Sequence, residues 1–226
     1  EPLYTPQYDE GMPIEPNYYI PIIPMGLVNG SQGIGTGWST DIPNYNPIEI
    51  INNIKKYISG AEITDMIPYY RGFNGTIHKE SEYTYISKGT YEVKGNKLTI
   101  TELPIGVWSD KYKEFLETIC LDTKTKSKKQ ILRYYNSYSS DVKVHFELFM
   151  DKDLLNSMSA DKIEKTFKLT STINTSNMVL YNSKNCITKY TNVVDILKEF
   201  CEVRLELYGK RKEYIINQLN KEIDLI

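Results

Sequence analysis

Glu15-Pro16-Asn17-Tyr18-Tyr19-Ile20-Pro21-Ile22-Ile23-Pro24-Met25 runs on through Gly26-Leu27-Val28-Asn29-Gly30-Ser31-Gln32 to Gly33-Ile34-Gly35-Thr36-Gly37-Trp38-Ser39, and this stretch decides how the other residues are read. Its first part, to about Pro24, is rich in Pro and Tyr, which favour extended linker and strand over helix. Met25 to Gly30 reads as a short strand ending in an Asn-Gly turn. Three glycines then bracket Ile34. The block does not fit a nucleotide-phosphate loop: the Gly-Lys-Ser/Thr ending is absent and the glycine spacing is not the dinucleotide fingerprint. The next helix begins only near Pro47, too late to seat a phosphate on its N-terminus. From the residues alone Ile34 has two readings, a core residue in a tight turn or an apolar side chain offered outward.

Working outward, Asn46 is a natural N-cap, Pro47 suits the first helical position, and Glu49 completes a capping-box-like start. Ile48, Ile51, Ile54 and Ile58 fall on one face, and Ser59-Gly60 ends the helix. From about Arg71 the period changes to two, predicting strands near Gly75–Lys79, Glu82–Ser87, Thr90–Lys94 and Lys97–Glu102, the last two joined at Gly95-Asn96. Pro104 closes that sheet. A helix from Ser109 or Asp110 to Leu121 follows, then a basic loop with Lys124, Lys126, Lys128, Lys129 and Arg133. A strand at Val142–Phe149, helices at Asp151–Ser157 and Ala160–Phe167, and strands at Asn177–Tyr181 and Cys186–Tyr190 complete the middle.

The last segment differs in kind. From Asn192 to Ile226 there is no Pro and one Gly, Gly209. Val193, Ile196, Leu197, Phe200, Val203, Leu207, Tyr214, Ile215, Leu219 and Ile223 recur at three-and-four spacing, the mark of one long striped helix. At 1.5 Å per residue it would reach roughly 50 Å, a length that packs along a partner helix. The fold class expected is therefore α+β: a mixed domain followed by a long coiled-coil-type helix.

Composition bounds the chemistry. With 40% hydrophobic and 25% charged residues among 226, the chain has material for a sizeable core. Net charge is −2, so any grip on a polyanion comes from local patches. Cys120, Cys186 and Cys201 are too few and scattered for a disulfide framework, which favours cytosolic, nuclear or viral-factory surroundings over secretion. The longest apolar run, Tyr19 to Val28, is interrupted by Pro21 and Pro24 and is too short for a bilayer, so no membrane partner is expected. Glu1 and the lack of a cationic leader suggest a piece cut from a longer protein. His78 and His145 stand alone, and no metal-ligand cluster is evident.

The quoted stretch resembles eukaryotic-type DNA topoisomerase II, a type IIA enzyme, in the DNA-binding and cleavage core downstream of its catalytic tyrosine. The resemblance continues in order through Ile42-Pro43-Asn44, Glu49–Tyr57, Gly75-Thr76-Ile77 and Glu102-Leu103-Pro104 with Trp108. It then takes in Phe167-Lys168-Leu169, Asn177-Met178-Val179-Leu180, Lys189-Tyr190 and Asp195-Ile196-Leu197. It ends in Arg204-Leu205-Glu206-Leu207-Tyr208 and Lys210-Arg211-Lys212. It implies residues 1–45 as linker and DNA-bending motif, 46–190 as the α/β tower domain, and 191–226 as the start of the coiled coil leading to the C-terminal gate.

The resemblance also implies roles. Ile34 corresponds to the isoleucine inserted between base pairs, with Gly33 and Gly35 letting backbone approach the duplex. Lys168, Thr170, Ser171, Thr172, Asn174, Thr175, Ser176 and Asn177 correspond to a DNA-contacting stretch, whose alternative reading is an ordinary polar connection. Lys189 is a further phosphate contact. Double-stranded DNA and a homodimeric parent are the implied partners, and a helical assembly module without a DNA role is the alternative. ATP and Mg²⁺ belong to the implied parent, a type II DNA topoisomerase, and no cofactor is expected on these residues. The implied nucleophilic tyrosine, metal-binding acids and ATPase all precede this motif, so no catalytic residue is assigned. Arg133-Tyr134 mimics the nucleophile's local signature but comes in the wrong order. One departure stands out: many family members carry an arginine two positions before the tryptophan, where this chain has Gly106. The implied location is the nucleus, or host cytoplasm and viral factory for a viral parent.

Overall fold

The structure, a computed structural model, describes residues 2–121, 131–140 and 142–225. The cluster Lys124, Lys126, Lys128 and Lys129 lies outside the described residues. The chain forms two compact units, Glu1–Tyr69 with Thr175–Ile226 and, between them in sequence, Tyr70–Asn174.

The first unit opens with β1 (Gln7–Asp9) paired antiparallel to β2 (Met12–Ile14), both exposed. Where a strand was predicted at Met25–Gly30 the backbone instead makes one helical turn, α1 (Met25–Val28). The reason is tertiary. The Leu27 side chain is buried, and its carbonyl accepts from the Tyr45 N–H at 2.8 Å, contacts that an extended Met25–Gly30 would forgo. A hairpin of β3 (Ser31–Ile34) and β4 (Ser39–Ile42) follows. Then comes α2 (Pro47–Ile58), its Asn46 cap accepting from the Ile48 N–H at 2.9 Å with Pro47 at the first position. The face predicted from isoleucines is rotated. Ile48, Ile51 and Ile58 are exposed, and Ile50 and Asn53 are buried. Asn53 is at home inside because its amide bonds the Thr64 carbonyl, amide and hydroxyl.

The second unit carries two sheets. β5 (Thr76–Lys79), β6 (Thr84–Lys88), β7 (Thr90–Lys94) and β8 (Lys97–Glu102) lead into α3 (Ser109–Leu121), all close to expectation. β9 (Tyr134–Ser137) was not anticipated. β10 (Phe146–Phe149) occupies only the end of the predicted Val142–Phe149 strand, whose start is an isolated Ser140–Lys143 bridge. α4 (Lys152–Ser157) and α5 (Ala160–Thr166) are capped by Asp151 and Ser159, and β11 (Thr170–Asn174) ends the unit. The sheet orders are β7-β8-β10-β9 and β11-β6-β5. Leu98, Ile100, Tyr112, Leu116, Phe146, Leu148 and Phe167 anchor the core, and burial pushes the Tyr112 phenol far up while its hydroxyl donates to the Phe167 carbonyl at 2.7 Å.

Back in the first unit, β12 (Met178–Tyr181) pairs with β13 (Ile187–Tyr190), and α6 (Val193–Asp224) closes the described chain. Val193, Val194, Ile196, Leu197 and Cys201 of α6 join Leu27, Ile42, Tyr45, Ile50, Met66, Met178 and Tyr190 in one core. The predicted stripe is thus buried at its start. Further along, Leu205, Tyr208, Ile215, Leu219 and Ile223 are exposed. Among the described residues no helix is long and apolar enough to cross a membrane.

Candidate nucleic-acid interface

The β3–β4 hairpin pairs Ser31 with Ile42, Gln32 with Asp41, Gly33 with Thr40 and Ile34 with Ser39. Its four-residue loop, 35–38, is closed by the Gly35 N–H donating to the Trp38 carbonyl at 2.9 Å. Gly37 sits at φ +92°, where any side chain would be strained. At the tip Ile34 is 91% exposed and Trp38 59%. Leaving an isoleucine in water forgoes about 1.5–3 kcal/mol of burial. The core reading of Ile34 is therefore excluded, since nothing packs over it.

Gly33 and Gly35 are not required by the hairpin itself. Neither takes a left-handed φ, and a methyl group at each would meet its nearest neighbour, Thr40 Cγ2 or the Trp38 carbonyl, at 3.8 and 3.4 Å. Bare backbone on both sides of Ile34 leaves room for a surface approaching from outside.

Three hydrogen bonds brace β4 from the far side. The Asp41 N–H donates to the Asn177 carbonyl at 2.8 Å, and the Val179 N–H to Thr40 Oγ1 at 3.1 Å. The Asn177 side-chain amide donates to Ser39 Oγ at 2.9 Å. Val179 pairs in turn with Lys189, which is exposed on β13. The structure thus gathers Gly33, Ile34, Gly35, Asn177 and Lys189 on adjoining strands. Behind them the Tyr190 hydroxyl donates to Glu199 at 2.5 Å, and burial together with that carboxylate pushes the phenol far up.

The remaining predicted residues lie mostly in the second unit, on a strand where a polar connection was the alternative reading. β11 is an edge strand, with Thr170, Thr172 and Asn174 facing Lys88, Ile86 and Thr84. Alternation divides it. Thr172 and Asn174 are exposed, whereas Ile173 is buried and the Ser171 hydroxyl donates to the Ile105 carbonyl at 2.7 Å. Ser171 is therefore engaged within the fold, and Thr175 is buried at 6% exposure, while Ser176 is exposed. Lys168 is exposed with φ +50°, its Nζ 4.2 Å from the centre of the Phe115 ring. Lys88 is held by Glu164 at 2.9 Å, whose hydrogen bond pushes the ammonium up. This face offers hydroxyl and amide groups with little free charge, a set suited to positioning a phosphate backbone without reading bases.

Two further sequence readings find their place. Arg133 pairs with Asp151 at 3.2 Å and Tyr134 stacks on Phe149, centroids 4.5 Å apart, so both serve the fold. Gly106 takes φ +84°, a conformation that an arginine would enter only with strain. Trp38 was not singled out from the sequence. The signal was present, because Ser31–Ile34 and Ser39–Ile42 flank a glycine-rich loop of hairpin length.

The family model described as DNA gyrase/topoisomerase IV matches residues 3–226. A DNA topoisomerase 2 of Arabidopsis thaliana is 44% identical over 96% of this chain and 15% of its own length. A DNA topoisomerase 2 of Plasmodium falciparum (isolate K1 / Thailand) is 42% identical over 100% of this chain and 16% of its own length. Among solved structures, the Plasmodium falciparum topoisomerase II DNA-binding, cleavage and re-ligation domain superposes with a TM-score of 0.92 at 43% identity, covering 98% of this chain and 30% of that one. The chain thus spans about one-sixth of the length of such curated relatives.

Proposed function

This chain belongs to the DNA gyrase/topoisomerase IV family, and on that ground we propose that it is part of the DNA gate of an ATP-dependent type II topoisomerase, with Ile34 the wedge that bends the gate duplex. The observation that carries the reading is the isoleucine standing 91% exposed on a braced hairpin. An apolar side chain pushed between base pairs unstacks one step and kinks the helix. Bending a site of this kind costs on the order of 1–6 kcal/mol, which phosphate contacts must offset. The exposed Thr172, Asn174, Ser176, Lys168 and Lys189 are suited to supply them.

On this reading the chain holds and bends DNA and leaves cleavage, Mg²⁺ and ATP to other parts of the parent enzyme. Among the described residues no group of three His, Cys, Asp or Glu is placed to hold a metal ion. Residues that hold DNA belong where duplex DNA is, the nucleus or a viral factory. The alternative, an assembly module, draws on the exposed Leu205, Ile215, Leu219 and Ile223 of α6. The two readings are compatible, because α6 provides a homodimer contact in one and the sole function in the other.

The test compares the full-length protein with Ile34→Ala on a short duplex, reading bending by end-to-end energy transfer and binding by anisotropy. Loss of bending with binding largely kept supports the wedge. Unchanged bending in a folded variant rejects it and leaves the assembly reading.

A further inference from the structure

We propose that Asn177 is a positioning residue for bending, acting through Ser39 to hold the hairpin behind Ile34 and making no phosphate contact of its own. This rests on the wedge reading above. A two-stranded hairpin alone is marginally stable in water. Driving a side chain into a base stack loads that hairpin with the resistance of the duplex, so the strand behind the wedge needs an anchor. The anchor here is the run 177–179. Two of its three bonds to β4 involve only main-chain groups of that run, and any residue would make them. The third depends on side-chain identity: Asn177 Nδ2 donates to Ser39 Oγ at 2.9 Å, and Ser39 is the cross-strand partner of Ile34. The path from wedge to anchor is thus Ile34, Ser39, Asn177. The Asn177 amide is turned along β4 toward this hydroxyl, and the residue is half-buried.

The experiment places Asn177→Ala, Ser39→Ala, the double variant and Asn177→Asp in the full-length protein. For each, the bent fraction of the bound duplex and the salt dependence of affinity are read, with Ile34→Ala alongside. One hydrogen bond of ordinary net strength predicts a fall of about two- to tenfold in the bent-to-unbent ratio for Asn177→Ala. Ser39→Ala should fall alike and the double variant no further, because both remove one link. The salt slope should stay unchanged. Asn177→Asp, able to accept from the Ser39 hydroxyl, should recover most of the bent fraction. A salt slope flattened by about one phosphate with bending kept would make Asn177 a direct contact and overturn the proposal. Additive losses in the double variant, or no change in any variant, would overturn it equally. If Asn177→Ala fails to fold, the exposed Ser39 carries the same test. Bending that survives Ile34→Ala rejects the wedge itself, whereas bending lost with Ile34→Ala but kept with Asn177→Ala rejects only the brace.

Discussion

Ile34 and Ile173 are the same amino acid on strands of four and five residues, and the fold uses them in opposite ways. Ile173 is 9% exposed beneath a strand whose other face is hydroxyls and amides, and Ile34 is 91% exposed at a hairpin tip. On β11 the apolar group stabilises the protein and the polar groups are offered outward. On β3 the apolar group itself is offered. An exposed isoleucine between two glycines departs from ordinary burial without any gain inside the chain, and such departures concentrate at functional sites. A polar strand departs from nothing, so its residues must be sorted by where each side chain points.

The sharpest way to break the contrast is truncation at both isoleucines. Ile173→Ala should destabilise the protein by about 2–5 kcal/mol in urea unfolding, as buried apolar truncations do. Ile34→Ala should shift stability by less than about 0.5 kcal/mol, the surface norm. A large loss at Ile34 would mean that it packs, and the contrast would collapse. Within β11, Ser171→Ala should cost about 1 kcal/mol through its bond to the Ile105 carbonyl and leave DNA affinity unchanged. Thr172→Ala should do the reverse, leaving stability near wild type and weakening DNA binding slightly.

The smallest effect concerns acid. A hydrogen bond from Lys97 at 2.6 Å holds the Glu147 carboxyl below its usual value. Because the folded value is depressed, this stabilisation is complete above the ordinary carboxylate range and is lost as pH falls through the depressed value. The second unit should weaken there in wild type and not in Glu147→Gln, by a small amount because the pair is partly exposed. The neutral bonds that brace β4 have no such dependence. Melting at neutral and acid pH, with hydrogen exchange resolved by unit, checks both statements.

Much of this was legible in the chain. The striped terminal helix, the Asn46-Pro47 helix start and the run of strands to Glu102 each announce themselves through period or cap. Other features were hidden for identifiable reasons. Thr170–Asn174 has one apolar residue, too few to reveal a period of two. In α2 an isoleucine count misses Asn53, a polar residue buried because Thr64 satisfies it. In Met25–Val28 the decisive partner, Tyr45, lies far along the sequence. For the interface, the resemblance drew attention to Ile34, but no pattern told Ser171 from Thr172. That difference lies in which side of a strand meets Ile105.

The terminal helix has a mechanical consequence. It is held at its beginning, by Val193 to Cys201 in the core and by Arg204, whose guanidinium donates to the Ile20 carbonyl at 2.9 Å. The 20 residues from Arg204 to Asp224 are therefore a lever arm of about 30 Å. A 10° rotation at the fulcrum would sweep its far end by about 5 Å. Gly209, just past the fulcrum, is the point where such an arm bends first.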